Sequence, residues 1–176
     1  ENLTLDTKQV MKHVRSLRDR FVRGVTGDMQ SWQAEKIIAK KAKFIDNNTL
    51  DCEGEIIKAD KIVIASGSRP VIPEIFNGYE EFLITTDEIF ELEDLPKSLA
   101  VIGLGVIGLE IGPSLDRLGV EVIGIGRREV IAGMENPDLS KYLVNKFSEM
   151  MNLDFSGVQA VEKVQGGLKI KTKDSE

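Results

Sequence analysis

Cysteine and histidine are almost absent from this sequence of 176 residues. The one cysteine, Cys52, excludes a disulfide within the chain, and the one histidine, His13, lies too far along the chain to suggest a Cys/His metal site. We therefore predict that the protein binds no metal. We interpret Cys52 as an incidental residue of a strand and His13 as part of the solvated face of a helix.

Long apolar runs and an excess of basic charge are also missing. The longest uncharged apolar stretch, residues 98–109, is too short to cross a bilayer. Lys and Arg number 23 against 29 Asp and Glu, a net charge of -6, which argues against nucleic acid or an anionic membrane as a partner. The N-terminus has no signal-peptide pattern, so we expect a cytoplasmic protein. Both ends are typical of a chain cut from a longer one, and we expect a fragment.

The composition that remains, 41% hydrophobic and 30% charged, is typical of a globular protein. Asp6 or Thr7 is predicted to cap an amphipathic helix. Short strands are predicted between residues 35 and 66, beginning at Ile37–Ala39 and ending in a buried apolar strand, Ile62–Ala65. The apolar positions of the helix recur at three- and four-residue spacing: Val10, Val14, Leu17, Phe21 and Val25.

Three of the five prolines, Pro70, Pro73 and Pro96, frame a connecting segment in which residues 85–88 can start a short helix. Beyond it, strands and helices alternate, which predicts an α/β fold with a parallel sheet. Pro113 is expected to kink one of these helices. The predicted elements are a strand at 99–102, a helix at 105–118, a strand at 120–125, a helix from 137 to about 151, and strands near 153–160 and 168–172.

A glycine motif follows the first of these strands. Gly103 permits a tight turn out of the strand, Gly105 allows backbone to approach a pyrophosphate, and Gly108 allows the helix to pack closely on the strand. The backbone N–H groups of Val106 and Ile107 would face the phosphates at the positive end of the helix dipole. The motif predicts a Rossmann-type dinucleotide site, with a merely structural glycine-rich turn as the alternative.

The end of the next strand bears on the choice of dinucleotide. An acidic residue there accepts the adenosine ribose hydroxyls of NAD, yet the expected position is Gly126, followed by Arg127 and Arg128. Glycine removes a charge that would repel a 2′-phosphate, and either arginine can pair with one. Glu129 can take the acidic role if the strand ends later. The sequence leaves NAD and NADP open.

Several stretches together resemble the FAD-dependent pyridine nucleotide–disulfide oxidoreductases, and within them dihydrolipoamide dehydrogenase. They are Ile62–Pro70, which is similar to the family's IATGSRP segment, Leu95–Ser98, Val101–Gly112 and Leu118–Val122. The resemblance implies a flavoenzyme that passes electrons between NAD(P)(H), FAD and a disulfide such as lipoamide, in a homodimeric parent protein. It divides the chain into a partial FAD domain at 1–70, a linker at 71–97 and an NAD(P)-binding domain at 98–176.

The resemblance also implies roles for individual residues. Ala65, Ser66 and Gly67 would lie beside the FAD, and Ala42 would approach its adenine. Glu110 matches a residue that reaches the nicotinamide carboxamide, although it can also be a plain helix-surface carboxylate.

The family's FAD glycine motif, CxxxxC redox pair and His-Glu dyad have no counterpart in this sequence, so we expect the chain alone to be inactive. Three other functions stay open. One is a non-catalytic Rossmann interaction module, and another is an NADPH-dependent relative of the glutathione and mercuric reductases. The third is a self-contained nicotinamide reductase without flavin, although no general acid or base is placed for it.

Overall fold

The computed structural model of the chain describes residues 5–32 and 37–173. These residues form two compact units, one made of residues up to 15 together with those from 71 onward, the other of residues 16–70. The division predicted from the sequence, with boundaries near 70 and 97, stays a prediction. Within the described part of the chain, no helix has the length and apolar character needed to span a bilayer.

The N-terminal helix α1 spans Thr7–Gln30. The carboxylate of Asp6 caps it by accepting a hydrogen bond from the backbone N–H three residues later, at 3.1 Å. The Thr7 hydroxyl donates to the carboxylate of Asp94, and the guanidinium of Arg15 donates to the carbonyl of Leu92. These bonds attach the first half of α1 to the connecting segment.

The predicted apolar face of α1 is wrong for its second half. Met11 is buried, whereas Phe21 is 71% exposed and Val25 is 60% exposed. Helical spacing reports the period of a helix and not the presence of a neighbour that covers it. The spacing therefore predicted the helix but not which of its turns are buried.

The second unit contains an antiparallel meander. Its strands are β1 (Ala42–Asp46), β2 (Thr49–Cys52) and β3 (Glu55–Lys58), hydrogen-bonded in that order. The cysteine at the end of β2 is buried and is not part of a disulfide. The meander agrees with the strand signals of the sequence.

Two predicted strands are not strands in the structure. Residues 37–39 lie outside any strand, and Ile37 is 40% exposed. Ile62–Ala65, predicted as a buried strand, is also irregular, with Val63 87% exposed and Ile64 73% exposed. A strand requires a hydrogen-bonded neighbour, and no described residue pairs with either segment. Apolar composition alone was therefore not sufficient to predict a strand.

The connecting segment contains three short 3₁₀ helices, Glu74–Phe76, Glu80–Phe82 and Ile89–Glu91. The last follows a turn in which Glu88 Oε2 accepts hydrogen bonds from the backbone N–H of Thr85 at 2.7 Å and from its hydroxyl at 2.5 Å. Both bonds lower the pKa of the Glu88 carboxyl, and the bond from the Thr85 hydroxyl has the larger effect. The predicted short helix therefore begins slightly later than the sequence suggested.

A parallel sheet follows, with strand order β4-β5-β6. Its strands are β4 (Ser98–Ile102), β5 (Glu121–Ile125) and β6 (Asn152–Asp154), connected by helices α2 (Val106–Arg117) and α3 (Pro137–Ser148). Both neighbouring strand pairs are parallel. This arrangement confirms the predicted α/β fold.

The stretch predicted as one strand near 153–160 is two strands, because the chain turns at Gly157, where φ is +73°. After this turn, β7 (Val158–Val164) and β8 (Gly167–Thr172) form an antiparallel hairpin. Helix α2 is continuous across Pro113, and the Pro113 side chain is buried.

One core joins the sheet, α2 and α3. Val122 of β5 is 1% exposed, and Ile131, in the loop after β5, is 0% exposed. The other buried members of this cluster are Ile89, Leu104, Leu109, Leu115, Val120, Val144 and Met151.

Candidate dinucleotide-binding site

The glycine turn joins β4 to α2 at the carboxyl end of the sheet. Gly103 has a φ of +103°, in the left-handed region that favours glycine. Its N–H donates to the carbonyl of Ile125 at 2.9 Å, which ties the turn to the end of β5. A Cβ on Gly108 would lie 2.3 Å from the Gly103 carbonyl oxygen. Backbone conformation at the first position and packing at the second therefore both require glycine.

Gly105 is different from these two glycines. It is the N-cap residue of α2, in an extended conformation with φ -74° and ψ 178° that any residue adopts. A Cβ added to it would meet no other atom within 4 Å. Neither conformation nor packing in the protein requires glycine here, and the space beside the backbone is open.

The first turn of α2 presents free donors to this space. The first helical hydrogen bond runs from the N–H of Leu109 to the carbonyl of Gly105 at 3.1 Å, and no side chain caps the helix. Val106 and Ile107 are 59% and 57% exposed. The N–H groups at the start of a helix, together with its dipole, favour an anionic ligand.

Gly126 lies directly after β5, where the sequence placed it. It is buried, and its N–H donates to the carbonyl of Asp154 at 2.7 Å. A Cβ here would lie 3.1 Å from Leu104 Cδ1 and 3.3 Å from Phe155 Cδ1. A side chain at this position would require Leu104 and Phe155 to move by a few tenths of an ångström, whereas glycine requires no such movement.

Arg127 and Arg128 begin the loop after β5, and both are exposed. The same loop returns to the glycine turn, because the N–H of Ala132 donates to the carbonyl of Leu104 at 2.9 Å. The structure therefore brings together the two stretches that the sequence identified separately, the glycine turn and residues 126–128. Glu129 is exposed further along the loop.

The remaining predicted residues are less organised. Glu110 lies on the second turn of α2 and is exposed. This position is compatible with a contact to the nicotinamide carboxamide and also with a plain helix-surface carboxylate. Ala42 is an exposed residue of β1. The three residues 65–67 are exposed and outside any strand, and they lie in the same unit as Ala42.

Sequence reasoning missed a polar cluster at the end of β6. Asp154 Oδ1 accepts hydrogen bonds from the backbone N–H of Ser156 at 2.7 Å and from its hydroxyl at 2.5 Å, and Asp154 Oδ2 accepts one from the hydroxyl of Thr172 at 2.6 Å. Asp154 and Ser156 also line an open depression of about 640 Å³ at this edge of the sheet. An Asp-x-Ser pattern after a strand signals such a turn, but the bond to Thr172 spans too many residues to be read locally.

Comparison with known proteins identifies the class. The family model described as pyridine nucleotide-disulphide oxidoreductase matches residues 4–176. The chain therefore belongs to this family, as its sequence resemblance suggested. Members of the family are FAD-dependent and use NAD(P)H.

Individual relatives agree with this assignment. A mercuric reductase of Staphylococcus aureus is 33% identical over 74% of the chain and 24% of its own length. A dihydrolipoyl dehydrogenase of Chlamydia pneumoniae is 36% identical over 68% of the chain and 26% of its own length. The chain thus spans about a quarter of these relatives.

The solved structure of LpdA from Mycobacterium tuberculosis has a similar fold. It superposes with a TM-score of 0.73 at 22% identity, covering 98% of this chain and 40% of LpdA. The likeness supports the α/β architecture around the glycine turn.

Proposed function

We propose that this chain binds the pyrophosphate of a nicotinamide dinucleotide at the glycine turn, as the nucleotide-binding part of a flavoenzyme that moves electrons between NAD(P)H, FAD and a disulfide. Gly105 carries the proposal. Among the three glycines of the motif, it alone has neither a strained backbone nor a packed neighbour to explain it. Room for a close-approaching ligand explains a residue without a side chain at this position.

The residues around Gly105 supply the binding chemistry. The N–H groups of Val106, Ile107 and Gly108 would donate to pyrophosphate oxygens, and the helix dipole would favour their charge. Glu110, one turn further along α2, would accept from the carboxamide of the nicotinamide. FAD and nicotinamide supply the electron transfer when bound, and the chain's own residues hold and orient the dinucleotide.

We further propose that the cofactor is NADP(H). Gly126 stands where an acidic residue would hold the ribose of NAD, so no carboxylate at this position repels a 2′-phosphate. The exposed guanidinium of Arg127 or Arg128 would instead pair with the 2′-phosphate. This supports a likeness to the NADPH-dependent mercuric and glutathione reductases.

The disulfide substrate follows only from the class of protein. Lipoamide is the candidate by resemblance to dihydrolipoamide dehydrogenase, within a cytoplasmic homodimer. Ala42 and residues 65–67 would contact FAD once the flavin site is complete. The chain has one cysteine, so it cannot by itself provide a redox pair.

Calorimetric titration with NADPH and NADH tests the proposal. Wild-type protein should bind NADPH, and Gly105→Ala should weaken that binding by about tenfold or more, because a methyl group then occupies the approach path. Gly24→Ala is the matched control, since a Cβ there also meets nothing within 4 Å but lies in α1, and it should leave the affinity unchanged.

Two outcomes would oppose the proposal. Failure of the wild-type chain to bind either dinucleotide at millimolar concentration would favour a non-catalytic Rossmann interaction module. Undiminished binding by Gly105→Ala would show that the dinucleotide binds elsewhere.

A further inference from the structure

The cluster around Asp154 lies next to the proposed 2′-phosphate site and is not explained by it. Asp154 ends β6 and is only partly exposed. Its two carboxylate oxygens accept hydrogen bonds from the N–H and hydroxyl of Ser156 in the following turn and from the hydroxyl of Thr172 in β8. The carboxylate therefore connects the sheet, the turn after it and the last strand of the hairpin.

The turn that Asp154 holds lies against the loop carrying Arg127. The ring of Phe155 is 3.3 Å from where a Cβ on Gly126 would lie. A Cβ on Gly157 would lie 3.8 Å from Arg127 Cα and 3.9 Å from Arg127 Cγ. The backbone and the first carbons of Arg127 thus lie beside Gly157, with only the space of a missing side chain between them, while the residue as a whole remains exposed.

We propose that Asp154 is a positioning residue for Arg127 in the recognition of a ribose 2′-phosphate. An arginine side chain loses much rotamer freedom when it binds a phosphate. A rigid support under its first carbons removes part of that freedom before the ligand arrives, and preordering of this kind raises affinity. The inference rests on the proposed function, since Asp154 would act by positioning a residue of the proposed NADP(H) site.

Two features assign the support to the carboxylate of Asp154. Its bonds to the N–H and hydroxyl of Ser156 fix the turn locally. Its bond to Thr172 anchors that turn to a strand far along the chain, which a local turn alone would not provide. The backbone carbonyl of Asp154 also accepts the N–H of Gly126, the residue immediately before Arg127, and this bond does not depend on the side chain at position 154.

The test measures affinities for NADPH and NADH, which differ only in the 2′-phosphate. We expect Asp154→Ala to weaken NADPH binding by at least about fivefold and NADH binding by less than about twofold. Asp154→Asn should restore most of the NADPH affinity, because an amide can still accept from Ser156 and donate to the Thr172 hydroxyl. In an Arg127→Ala background, Asp154→Ala should have no further effect on NADPH.

A merely structural role for Asp154 gives a different pattern. Equal weakening of NADPH and NADH, or an effect of Asp154→Ala that persists without the Arg127 side chain, would overturn the inference. If Asp154→Ala does not fold, Thr172→Val replaces it, since that variant keeps the carboxylate and removes one bond, and the same selective loss is expected.

The wild-type titration separates the two proposals. Wild-type binding of NADPH with a non-selective Asp154→Ala variant leaves the proposed function standing and removes only the positioning role. A wild-type chain that binds neither dinucleotide removes the proposed function and the positioning role with it.

Discussion

Two short segments of this protein are almost equally apolar and have opposite structures. Residues 99–102, Leu-Ala-Val-Ile, belong to β4, pair with β5 and pack Val101 against the glycines of α2. Residues 62–65, Ile-Val-Ile-Ala, are irregular and leave Val63 87% exposed. Since backbone hydrogen bonds and burial both need a neighbour, the difference lies in the surroundings and not in the segments themselves.

The same difference separates the two predicted nucleotide sites. The glycine turn follows the paired strand, and hydrogen bonds from Gly103 and Ala132 fix it to β5 and to the loop beyond. Residues 65–67 lie at and directly after the end of the unpaired segment, and no backbone hydrogen bond among the described residues fixes them to a strand. The geometry therefore supports a nicotinamide site in this chain, whereas the flavin contacts rest on family membership.

The largest effect on stability is expected from a methyl group added where α2 packs on β4. Gly108→Ala would place a Cβ 2.3 Å from a backbone oxygen, and we expect a loss of about 3 kcal/mol or more in the free energy of unfolding. Gly105→Ala, two residues from the turn's start, should lose about 1 kcal/mol or less, because its Cβ meets nothing. Urea denaturation followed by circular dichroism measures both. Equal losses would contradict the described packing of α2 on β4.

A matched pair of valines tests burial directly. Val122→Ala removes methyl groups from a side chain that is 1% exposed and should lower the free energy of unfolding by about 2 kcal/mol. Val63→Ala, at 87% exposure, should change it by less than about 0.5 kcal/mol. The same urea denaturation experiment measures the change in the free energy of unfolding for both variants. A cost at Val63 as large as that at Val122 would mean that the 62–65 segment is covered in solution.

The smallest expected effect concerns α1, in which one half of the helix is attached to the connecting segment and the other half is exposed. Its first half is attached by the Thr7 hydroxyl to Asp94, while its second half exposes Phe21. The Thr7 hydroxyl, the N–H of Leu95 and the charge of Lys8 together lower the pKa of the Asp94 carboxyl below 3.8. Because the folded pKa is the lower one, this stabilisation is present above pH 3.8 and is lost as the pH falls through the folded pKa.

Comparison of wild type with Asp94→Asn and Thr7→Val measures this effect. Both variants should unfold at lower urea concentration than wild type at pH 7, and the three midpoints should converge as the pH is lowered below 3.8. A difference that persists unchanged in acid would assign the attachment of α1 to other contacts.

The sequence predicted best the features that depend on neighbours close in the chain. The order β4, α2, β5 and the cap at Asp6 follow from short-range spacing, and the structure contains them. The exposure of Phe21 and of residues 63–65 could not be predicted, because the spacing of apolar residues does not say which neighbours cover them.

The candidate site divides in the same way. Gly103, Gly105 and Gly108 were recognisable from their spacing after a strand. The contacts of Leu104 and Phe155 with Gly126, and the bond from Thr172 to Asp154, join residues distant in the chain. These contacts could not be predicted from local spacing, because they form only when the chain is folded.

The central claim is that a dinucleotide binds at the glycine turn, and amide chemical shifts during a titration with NADPH test it most directly. We predict that the largest shift changes occur at Gly103–Gly108, with a second group at Gly126–Arg128, and that Val63 and Ile64 do not change. Changes centred on residues 62–67, or none at the start of α2, would contradict the claim.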